Sequence, residues 1–408
     1  MPPDFVNLGA EYLRDSISSV NRPSRISGRR RGTAAGLRDR HSLPIYGLVT
    51  QAHINRIATA VPQHEVNEAF RAFAARQIGD ARVRAAFARL CDRAQIVRRY
   101  SVLKPDADAC ATVCGFYRLD RFPSTGARMA RYEAEAPALA EAACLALGLE
   151  AEGPHITHLI FATCTGFAAP GLDHWLIQRF GLPGTVERSI VGFMGCQAAI
   201  NALKLAHHIV RSDRRARVLV LNLELCSLHL QPSPEIEQLL CFSLFADGCS
   251  AALVSAEPRG LRLEGFHAAL VPEAADQITW RIGDRGFDMT LSGFVPLTLA
   301  RALPAHAAAL LAGADPAEIA LWAVHPGGRS VLDAVAHGFG LGENALAASR
   351  AVLRDYGNMS SATVMFVLER LLREAVPGAR GCAIAFGPGL SAEAMRFCVA
   401  PEADGARA

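Results

Sequence analysis

The sequence lacks the features that would place the chain in a membrane or outside the cell. None of its 408 residues lies in a run approaching the about 18 consecutive apolar residues of a membrane span. The N-terminus is polar and arginine-rich rather than apolar, so we expect no secretory signal peptide. Eleven cysteines are an odd number for a disulfide framework, and reduced thiols are the expected state. We therefore expect a cytoplasmic protein without an integral membrane segment.

An excess of charge of one sign is also absent. Lysine and arginine together number 42 and the acids 39, a formal net charge of +3, whereas a nucleic-acid-binding domain is clearly basic. Hydrophobic residues make up 51% of the chain and charged residues 20%, which predicts a large apolar core. The composition therefore indicates a globular protein that binds no nucleic acid.

The spacing of metal ligands is missing as well. Cys110 and Cys114 form a lone C-x3-C pair, and His155 and His158 form a lone H-x2-H pair. A closed zinc site needs four convergent ligands, and neither pair has a partner pair. We therefore expect no bound metal.

The chain divides into a basic extension and a long patterned region. Residues 1–45 hold eight arginines and few apolar residues, which predicts a disordered tail; attachment to an anionic surface through Arg29–Arg31 is the alternative. From about Ile54 onward, short apolar runs alternate with helical periods, which indicates an α/β fold. Strands are predicted at 158–162, 217–223, 251–255, 319–324 and 382–386, and the clearest helices at 197–210 and 361–375.

A weak internal repeat relates two segments of this region. Residues 158–182 and 319–341 each read as a buried strand, a glycine-bearing loop and an amphipathic helix that ends in Phe-Gly-Leu. The two Phe-Gly-Leu endings begin at 180 and 339, an offset of 159 residues. Two similar halves packed together would explain this spacing.

The sharpest local pattern surrounds Cys196. Residues 188–194 read as a strand, Gly195 allows a tight turn, and a helix is predicted from Gln197. A cysteine at a helix N-terminus meets free N–H groups and the helix dipole, which lower a thiol pKa. The alternative is a small buried cysteine in an alanine-rich core.

Two further residues complete a possible catalytic set. His325 follows a predicted strand in the glycine-rich loop HPGGR, and Asn358 follows Gly357 just before a helix that begins around Ser360. Either residue alone would more often be a loop hydrogen-bonding group or a cap. With Cys196, they supply a nucleophile, a base and a polar stabiliser.

These motifs resemble the chalcone synthase family, the type III polyketide synthases, in its bacterial form. The resemblance runs from about residue 50 to 398 and implies an α/β thiolase-like fold, five layers αβαβα made of two duplicated halves, in a homodimer. The halves are predicted at 46–265, with the nucleophilic cysteine, and at 266–400, with the histidine and asparagine. The matching segments are GFMGC (192–196), LFADG (244–248), HPGGR (325–329), YGNMSSA (356–362), FGPGL (386–390) and RLCDRAQI (89–96).

The resemblance also implies roles for individual residues. Cys196 would carry the acyl chain as a thiolate beside the His325 imidazolium, and His325 and Asn358 would serve the thioester oxygen and decarboxylation. Arg89 and Arg93 match positions that hold CoA phosphates, although the third such position is Ala86; a solvated helix face is the alternative. The implied substrate-binding positions are Phe245 as gatekeeper, Met289, Trp280 at the cavity floor, Cys164, Cys226 and His229 in place of plant threonines, and Gly387, Pro388 and Gly389 after an Ala385 that replaces a glycine.

The implied reaction is iterative decarboxylative Claisen condensation of malonyl-CoA onto an acyl-CoA starter, with both thioesters as substrates and no cofactor. The bacterial character of 192–230 and a flexible Met289 favour a medium or long fatty acyl starter and an alkylpyrone or alkylresorcinol product, whereas Trp280 would shorten the cavity. An initiating-type ketoacyl-ACP synthase, which extends once from a malonyl-carrier protein, is the alternative enzyme. An inactive acyl-CoA-binding scaffold is the alternative outside catalysis.

Overall fold

The computed structural model describes residues 50–105, 112–113 and 115–401. The predicted extension 1–45 and the cysteines 110 and 114 lie outside the described residues. The strands in chain order are β1 His53–Ala60, β2 His64–Glu65, β3 Tyr100–Ser101, β4 Thr112–Val113, β5 Tyr117–Arg118, β6 His158–Thr163, β7 Glu187–Gly192, β8 Arg217–Leu225, β9 Asp247–Ser255, β10 Leu261–Leu270, β11 Ile278–Gly283, β12 Gly286–Leu291, β13 Leu321–Val324, β14 Arg380–Gly387 and β15 Ser391–Val399.

Helices occupy most of the chain between these strands. The α-helices of the described part are α1 Asn67–Arg76, α2 Ala81–Arg93, α3 Thr125–Leu147, α4 Leu149–Glu152, α5 Leu172–Phe180, α6 Ala198–Ser212, α7 Ile236–Leu244, α8 Val295–Leu310, α9 Arg329–Gly338, α10 Ala347–Tyr356 and α11 Thr363–Glu374. Short 3-10 turns occur at Gly153–His155, Gly195–Gln197, Cys226–His229, Pro272–Ala274, Pro316–Glu318 and Ser360–Ala362.

Nine strands form one mixed sheet in the order β13-β14-β15-β10-β1-β9-β8-β6-β7. The series β1-β9-β8-β6 and the series β10-β15-β14-β13 have the same pairing, antiparallel twice and then parallel. The predicted repeat therefore corresponds to β6 with α5 and β13 with α9, which occupy equivalent places in the two series. The predicted α/β fold of two similar halves is present.

The helices lie in three layers around the two halves of the sheet. Helices α6 and α11 lie in the middle, where their buried faces share one apolar cluster with strands from both halves. Residues Thr363–Leu368 of α11 are all buried, as expected for a helix enclosed between the two halves of the sheet. Helices α3 and α5 cover the outer face of one half, and α8, α9 and α10 cover the other. These three helix layers and the two halves of the sheet form the predicted αβαβα arrangement of five layers.

The chain differs from the predicted elements just before each middle helix. The strand predicted at 188–194 ends at Gly192, and 3-10 turns precede both α6 and α11. Gly195 has φ +67°, and a Cβ there would lie 2.4 Å from Cδ of Pro388, so only glycine fits this bend. These bends place Cys196 and Asn358 ahead of the middle helices instead of on them.

Candidate active site

A cavity lies between the turns that precede α6 and α11, the β11–β12 hairpin and helix α8. Its walls are mostly apolar, with Ile278, Leu291, Val295 and Leu299 among them. The fold brings most of the predicted site residues to this one cavity. Those that line it are Cys164, Cys196, Cys226, Phe245, Trp280, Met289, His325, Asn358, Gly387 and Pro388.

Cys196 occupies the middle of the 3-10 turn Gly195–Gln197. Its thiol makes one long hydrogen bond, 4.0 Å from Sγ to the side-chain oxygen Oδ1 of Asn358, and the residue is partly accessible. Neighbouring Gly195 donates its N–H to Sγ of Cys164 at 3.1 Å, which ties the turn to the end of β6. The thiol is therefore weakly held in a firmly anchored turn.

His325 follows β13 directly, and its side chain is unusually isolated. Its backbone N–H donates to the carbonyl of Ile384 at 2.8 Å, which continues the pairing of β13 with β14. The residue is 1% exposed, yet neither ring nitrogen has a hydrogen-bond partner among the described residues. Buried polar groups are normally paired, so this imidazole is arranged for a group that enters the cavity.

Asn358 is held at both its backbone and its side chain. Its backbone N–H donates to the carbonyl of Leu244 at 2.8 Å, and its carbonyl accepts from the N–H of Ala246 at 2.9 Å. Oδ1 accepts the N–H of Ser360 at 2.9 Å, and Nδ2 donates to the carbonyl of Gly327 at 3.4 Å. Nδ2 makes no second hydrogen bond among the described residues, and Asn358 lines the cavity.

Burial controls the protonation of the two titratable groups. Burial raises the pKa of the Cys196 thiol to about 12, the opposite of the lowering predicted from the helix N-terminus. Burial likewise lowers the pKa of His325 to about 3, so a lone imidazolium is disfavoured. The free-energy cost of burying each charged group alone exceeds the stabilisation that the helix N-terminus provides. Burial therefore disfavours both the Cys196 thiolate and the His325 imidazolium when each is taken alone.

The hairpin closes one side of the cavity. Trp280 and Met289 are directly opposite on β11 and β12, so their side chains lie on the same face, and both line the cavity. The indole Nε1 of Trp280 donates to the carbonyl of Cys164 at 2.8 Å. This bond fixes the large ring against the end of β6.

Two predicted substrate-binding residues do not line the cavity. Both ring nitrogens of His229 are used by backbone: Nδ1 accepts from the N–H of Phe287 at 3.0 Å and Nε2 donates to the carbonyl of Thr165 at 2.7 Å. Its ring stacks on Phe287 with centroids 4.3 Å apart, and burial lowers its pKa to about 3. Gly389 instead donates its N–H to the carbonyl of Ile278. Both residues support the wall from behind.

The two predicted CoA-binding arginines lie elsewhere. Arg89 and Arg93 are exposed on α2 and are absent from the cavity lining. The carbonyl of Arg93 accepts a hydrogen bond from Nη1 of Arg329 at 3.3 Å, which joins the end of α2 to the start of α9. Helix α9 also contributes Val331 to the cavity, so α2 is connected to the site through α9.

Glu224 is a buried acid behind the cavity that no sequence motif indicated. Its carboxylate accepts hydrogen bonds from Oγ of Ser361 at 2.5 Å, Oγ1 of Thr165 at 2.8 Å and the N–H of Cys164 at 2.9 Å. Burial raises the pKa of Glu224 to about 7 despite these bonds. A single acid inside the apolar strand RVLVLNLEL was the available signal, since acids are seldom fully buried without partners.

Two other kinds of feature are absent from the described residues. Among the described residues, no group of three or more His, Cys, Asp or Glu side chains is placed to hold a metal ion. No helix within the described ranges is long and apolar enough to cross a membrane.

Comparisons with known proteins agree on one family. The family model "Chalcone and stilbene synthases, N-terminal domain" matches residues 49–258, and the corresponding C-terminal domain matches residues 263–399. The chain is 33% identical over 279 residues to the alpha-pyrone synthesis polyketide synthase-like Pks18 of Mycobacterium tuberculosis, covering 65% of this chain and 71% of Pks18. It is 36% identical over 245 residues to 1,3,6,8-tetrahydroxynaphthalene synthase of Streptomyces coelicolor, covering 59% of this chain and 66% of that enzyme.

Solved structures show the same relationship. PKS-I from the brown alga Ectocarpus siliculosus superposes with a TM-score of 0.77 at 29% identity, covering 86% of this chain and 98% of that one. The Streptomyces coelicolor enzyme, described as a bacterial type III polyketide synthase, superposes with a TM-score of 0.76 at 29% identity, covering 86% and 99%. The predicted thiolase-like fold is confirmed.

Proposed function

The chain belongs to the chalcone and stilbene synthase family and is a type III polyketide synthase, and we propose that it extends an acyl-CoA starter held on Cys196 by iterative decarboxylative condensation with malonyl-CoA. One observation carries this proposal. The thiol of Cys196, the unpartnered imidazole of His325 and the carboxamide of Asn358 line the same apolar cavity. Family membership also displaces the ketoacyl-ACP synthase alternative.

Loading of the starter is the first step. Cys196 Sγ attacks the thioester carbonyl of acyl-CoA while its proton passes to His325, and the departing CoA thiolate takes that proton back. The products are an acyl thioester on Cys196 and free CoA. The transient pair of Cys196 thiolate and His325 imidazolium is stabilised because opposite charges attract strongly in a site of low dielectric.

Decarboxylation and condensation follow in the same cavity. Malonyl-CoA loses CO2, and the negative charge moves to the thioester oxygen of the resulting enolate. A ring N–H of His325 and the Nδ2 amide of Asn358 donate to that oxygen, and a well-placed donor of this kind contributes about 2.7–4 kcal/mol. The enolate carbon attacks the Cys196 thioester, the C–S bond breaks, and the chain leaves on CoA longer by two carbons.

The apolar walls protect the carbon nucleophile. Water would protonate the enolate, and a water-excluding cavity prevents that side reaction. Phe245 is 8% exposed and packs with Cys226, Cys241 and Met289 at the cavity wall, as a gate residue should. The steps need CoA thioesters and these side chains, and no further cofactor.

For the starter we propose a medium or long fatty acyl chain, with an alkylpyrone or alkylresorcinol as product. The supporting observations are the alkyl-lined wall of Ile278, Leu291, Val295 and Leu299 and the similarity to a relative named for alpha-pyrone synthesis. Trp280 acts against very long chains, because its ring is fixed by the bond to Cys164.

The test incubates the purified protein with acyl-CoA starters from acetyl to palmitoyl, and an aromatic starter, together with labelled malonyl-CoA. Mass spectrometry of the products should show several added units and the highest yield from fatty starters. Preference for the aromatic starter would overturn the starter assignment. A single extension that needs malonyl-carrier protein would restore the ketoacyl-ACP synthase alternative, and absence of acyl label on Cys196 would indicate an inactive scaffold.

We propose further that Arg89 and Arg93 bind CoA phosphates, because both guanidinium groups are free on the exposed face of α2. Arg89→Ala and Arg93→Ala should each raise KM for malonyl-CoA and leave KM for the phosphate-free N-acetylcysteamine thioester unchanged. Arg82→Ala on the same helix is the matched control. Equal effects on both substrates would remove the phosphate role.

The homodimer that the family resemblance implies has a suitable surface. Strand β7 is an edge of the large sheet, and Ile190 on it is 52% exposed beside the exposed side chains of Phe167 and Met194. A second copy related by a two-fold axis would cover this apolar edge. Ile190→Lys should convert a dimer to a monomer in light scattering, whereas Val376→Lys, at a residue that is 68% exposed, should not.

A further inference from the structure

Arg99 is a buried cation that the proposed reaction does not use. It is 1% exposed, and within the described residues it has no carboxylate at ion-pair distance. Burial lowers its pKa to about 10, so it remains charged at neutral pH. An unpaired buried charge is costly unless hydrogen bonds satisfy it. The groups it binds should therefore explain its presence.

Those groups lie at the end of α7, beside the gate residue. Nη1 of Arg99 donates to the carbonyl of Phe245 at 2.7 Å and to the carbonyl of Phe242 at 2.9 Å, while Nε donates to Oδ1 of Asn67 at 2.9 Å. The last carbonyls of a helix have no partner within the helix. Arg99 supplies that partner and so fixes the peptide that follows Phe245.

The same peptide leads directly to Asn358. Its carbonyl, that of Phe245, accepts from Arg99, and its N–H, that of Ala246, donates to the backbone carbonyl of Asn358 at 2.9 Å. The N–H of Asn358 donates in turn to the carbonyl of Leu244 at 2.8 Å. One guanidinium group is thus two hydrogen bonds from the backbone of Asn358, and consecutive bonds strengthen one another.

Gly357 brings the stem of Arg99 against the same turn. A Cβ at Gly357 would lie 2.8 Å from Cγ of Arg99 and 2.9 Å from the carbonyl of Leu244, and its φ is +72°. The N–H groups of Val97 and Arg98 donate to the carbonyl of Arg354, which holds the two chain segments side by side. Arg99 therefore contacts the Asn358 turn by packing as well as through hydrogen bonds.

We infer that Arg99 is a positioning residue for the condensation. It holds the gate residue Phe245 and the catalytic amide of Asn358 in a fixed position relative to each other. This role rests on the proposed function. Substitution of Arg99 should therefore impair only some of the steps. Decarboxylation and condensation, which use Asn358, should slow. Acylation of Cys196, which lies on a separate turn before α6, should not.

Arg128 offers a matched control. It is also fully buried, and its Nη1 donates to the carbonyls of Leu228 and Leu230 at 2.6 and 2.9 Å, with a third bond to the hydroxyl of Tyr117. None of its hydrogen bonds reaches Phe245 or Asn358. Arg128→Lys should therefore lower stability much as Arg99→Lys does, without the selective defect.

The experiment measures three rates per folded protein in the full chain: acylation of Cys196 by the starter, malonyl-CoA decarboxylation and condensation. In Arg99→Lys, kcat for decarboxylation and condensation should fall about 10²-fold, the effect of misplacing a reacting group by about 1 Å. Acylation of Cys196 should keep the wild-type rate. Asn67→Ala leaves both Nη1 bonds of Arg99 in place but removes its Nε bond, together with the Nδ2 bonds from Asn67 to the carbonyls of Ile96 and Val97. This variant should show the same split at smaller size, and it provides the test if Arg99→Lys does not fold.

Two results would overturn the inference alone: a wild-type rate of condensation in both variants, or loss of all three rates in parallel, as a purely structural residue would cause. Condensation that is absent from the wild-type protein itself would overturn the proposed function, and this inference with it.

Discussion

The turns before the two middle helices are built alike but hold their functional groups differently. The nucleophile turn, residues 193–197, and the amide turn, residues 357–362, each contain a glycine with positive φ and a 3-10 segment. The thiol of Cys196 makes a long hydrogen bond of 4.0 Å to Oδ1 of Asn358, whereas Asn358 is fixed by its backbone and by both side-chain atoms. The group that must move and form a bond is loose, and the group that stabilises charge is rigid.

Glu224 supports both turns from behind. It accepts directly from Ser361 in the amide turn, and it reaches the nucleophile turn through Cys164, whose sulfur accepts the N–H of Gly195. The two turns therefore share one buried support while differing in the freedom of their functional side chains. Four substitutions test this comparison.

Cys196→Ala should have the largest effect, because it removes the loose group itself. Acyl-enzyme and polyketide should disappear, while decarboxylation of malonyl-CoA continues because His325 and Asn358 remain. Intact-protein mass spectrometry and CO2 release measure the two outcomes. Acyl label on the variant would instead assign the nucleophile to another cavity thiol, Cys164 or Cys226.

Asn358→Ala should lower condensation by about 10²- to 10³-fold, the usual cost of losing one preorganised donor to a developing oxyanion. Acylation of Cys196 should persist, because the nucleophile turn is intact. Asn222→Ala is the control, since Asn222 is also fully buried but bonds only to Ser250. If acylation and condensation fell together, the division of roles between the turns would be wrong.

His325→Ala should change the pH profile of alkylation of Cys196 by iodoacetamide. An imidazolium beside a thiolate lowers the thiol pKa, so its removal should raise that pKa and leave the raising effect of burial unopposed by His325. The variant should then react slowly at pH 7, with a rate that rises about tenfold per pH unit. Superimposable profiles would show that the thiol and imidazole do not form an ion pair.

Gly195→Ala should have the smallest effect on activity per folded protein but a clear effect on stability. A side chain at positive φ costs about 1–2 kcal/mol, and the new Cβ would also press on Pro388. Gly340→Ala measures the destabilisation caused by the positive φ alone, because Gly340 has φ +62° and no atom within 4 Å of its Cβ position. If Gly195→Ala and Gly340→Ala lowered the free energy of unfolding in urea equally, the Pro388 contact would add nothing to the destabilisation.

Continuous apolar runs made part of the fold predictable. The strands expected at 158–162, 217–223 and 382–386 correspond to His158–Thr163, Arg217–Leu225 and Arg380–Gly387. Strands β10 and β15 and the β11–β12 hairpin were missed, because these segments mix polar and apolar residues. Strand β10 and the hairpin are also only partly buried. Such strands are defined by their neighbours in the sheet, which no local pattern reveals.

The catalytic residues were visible for a different reason. Cys196, His325 and Asn358 each lie near glycines where a strand or loop leads into a helix. Such a local pattern can be recognised from the sequence alone. His229 was misplaced among the cavity residues because only the folded chain shows that backbone groups occupy both its nitrogens. Glu224 has no motif, and its importance comes entirely from what surrounds it.

The sequence by itself determined the α/β pattern, the repeat of two halves and the family, and it indicated Cys196, His325 and Asn358 as the candidate nucleophile, imidazole and amide. Only the tertiary structure brought Cys196 and Asn358, 162 residues apart, within 4.0 Å, closed the cavity with Trp280 and buried Arg99 and Glu224 behind it. It also reversed the expected direction of the Cys196 pKa. The reason is that local order depends on neighbouring residues, whereas desolvation and pairing depend on every element that packs around a group.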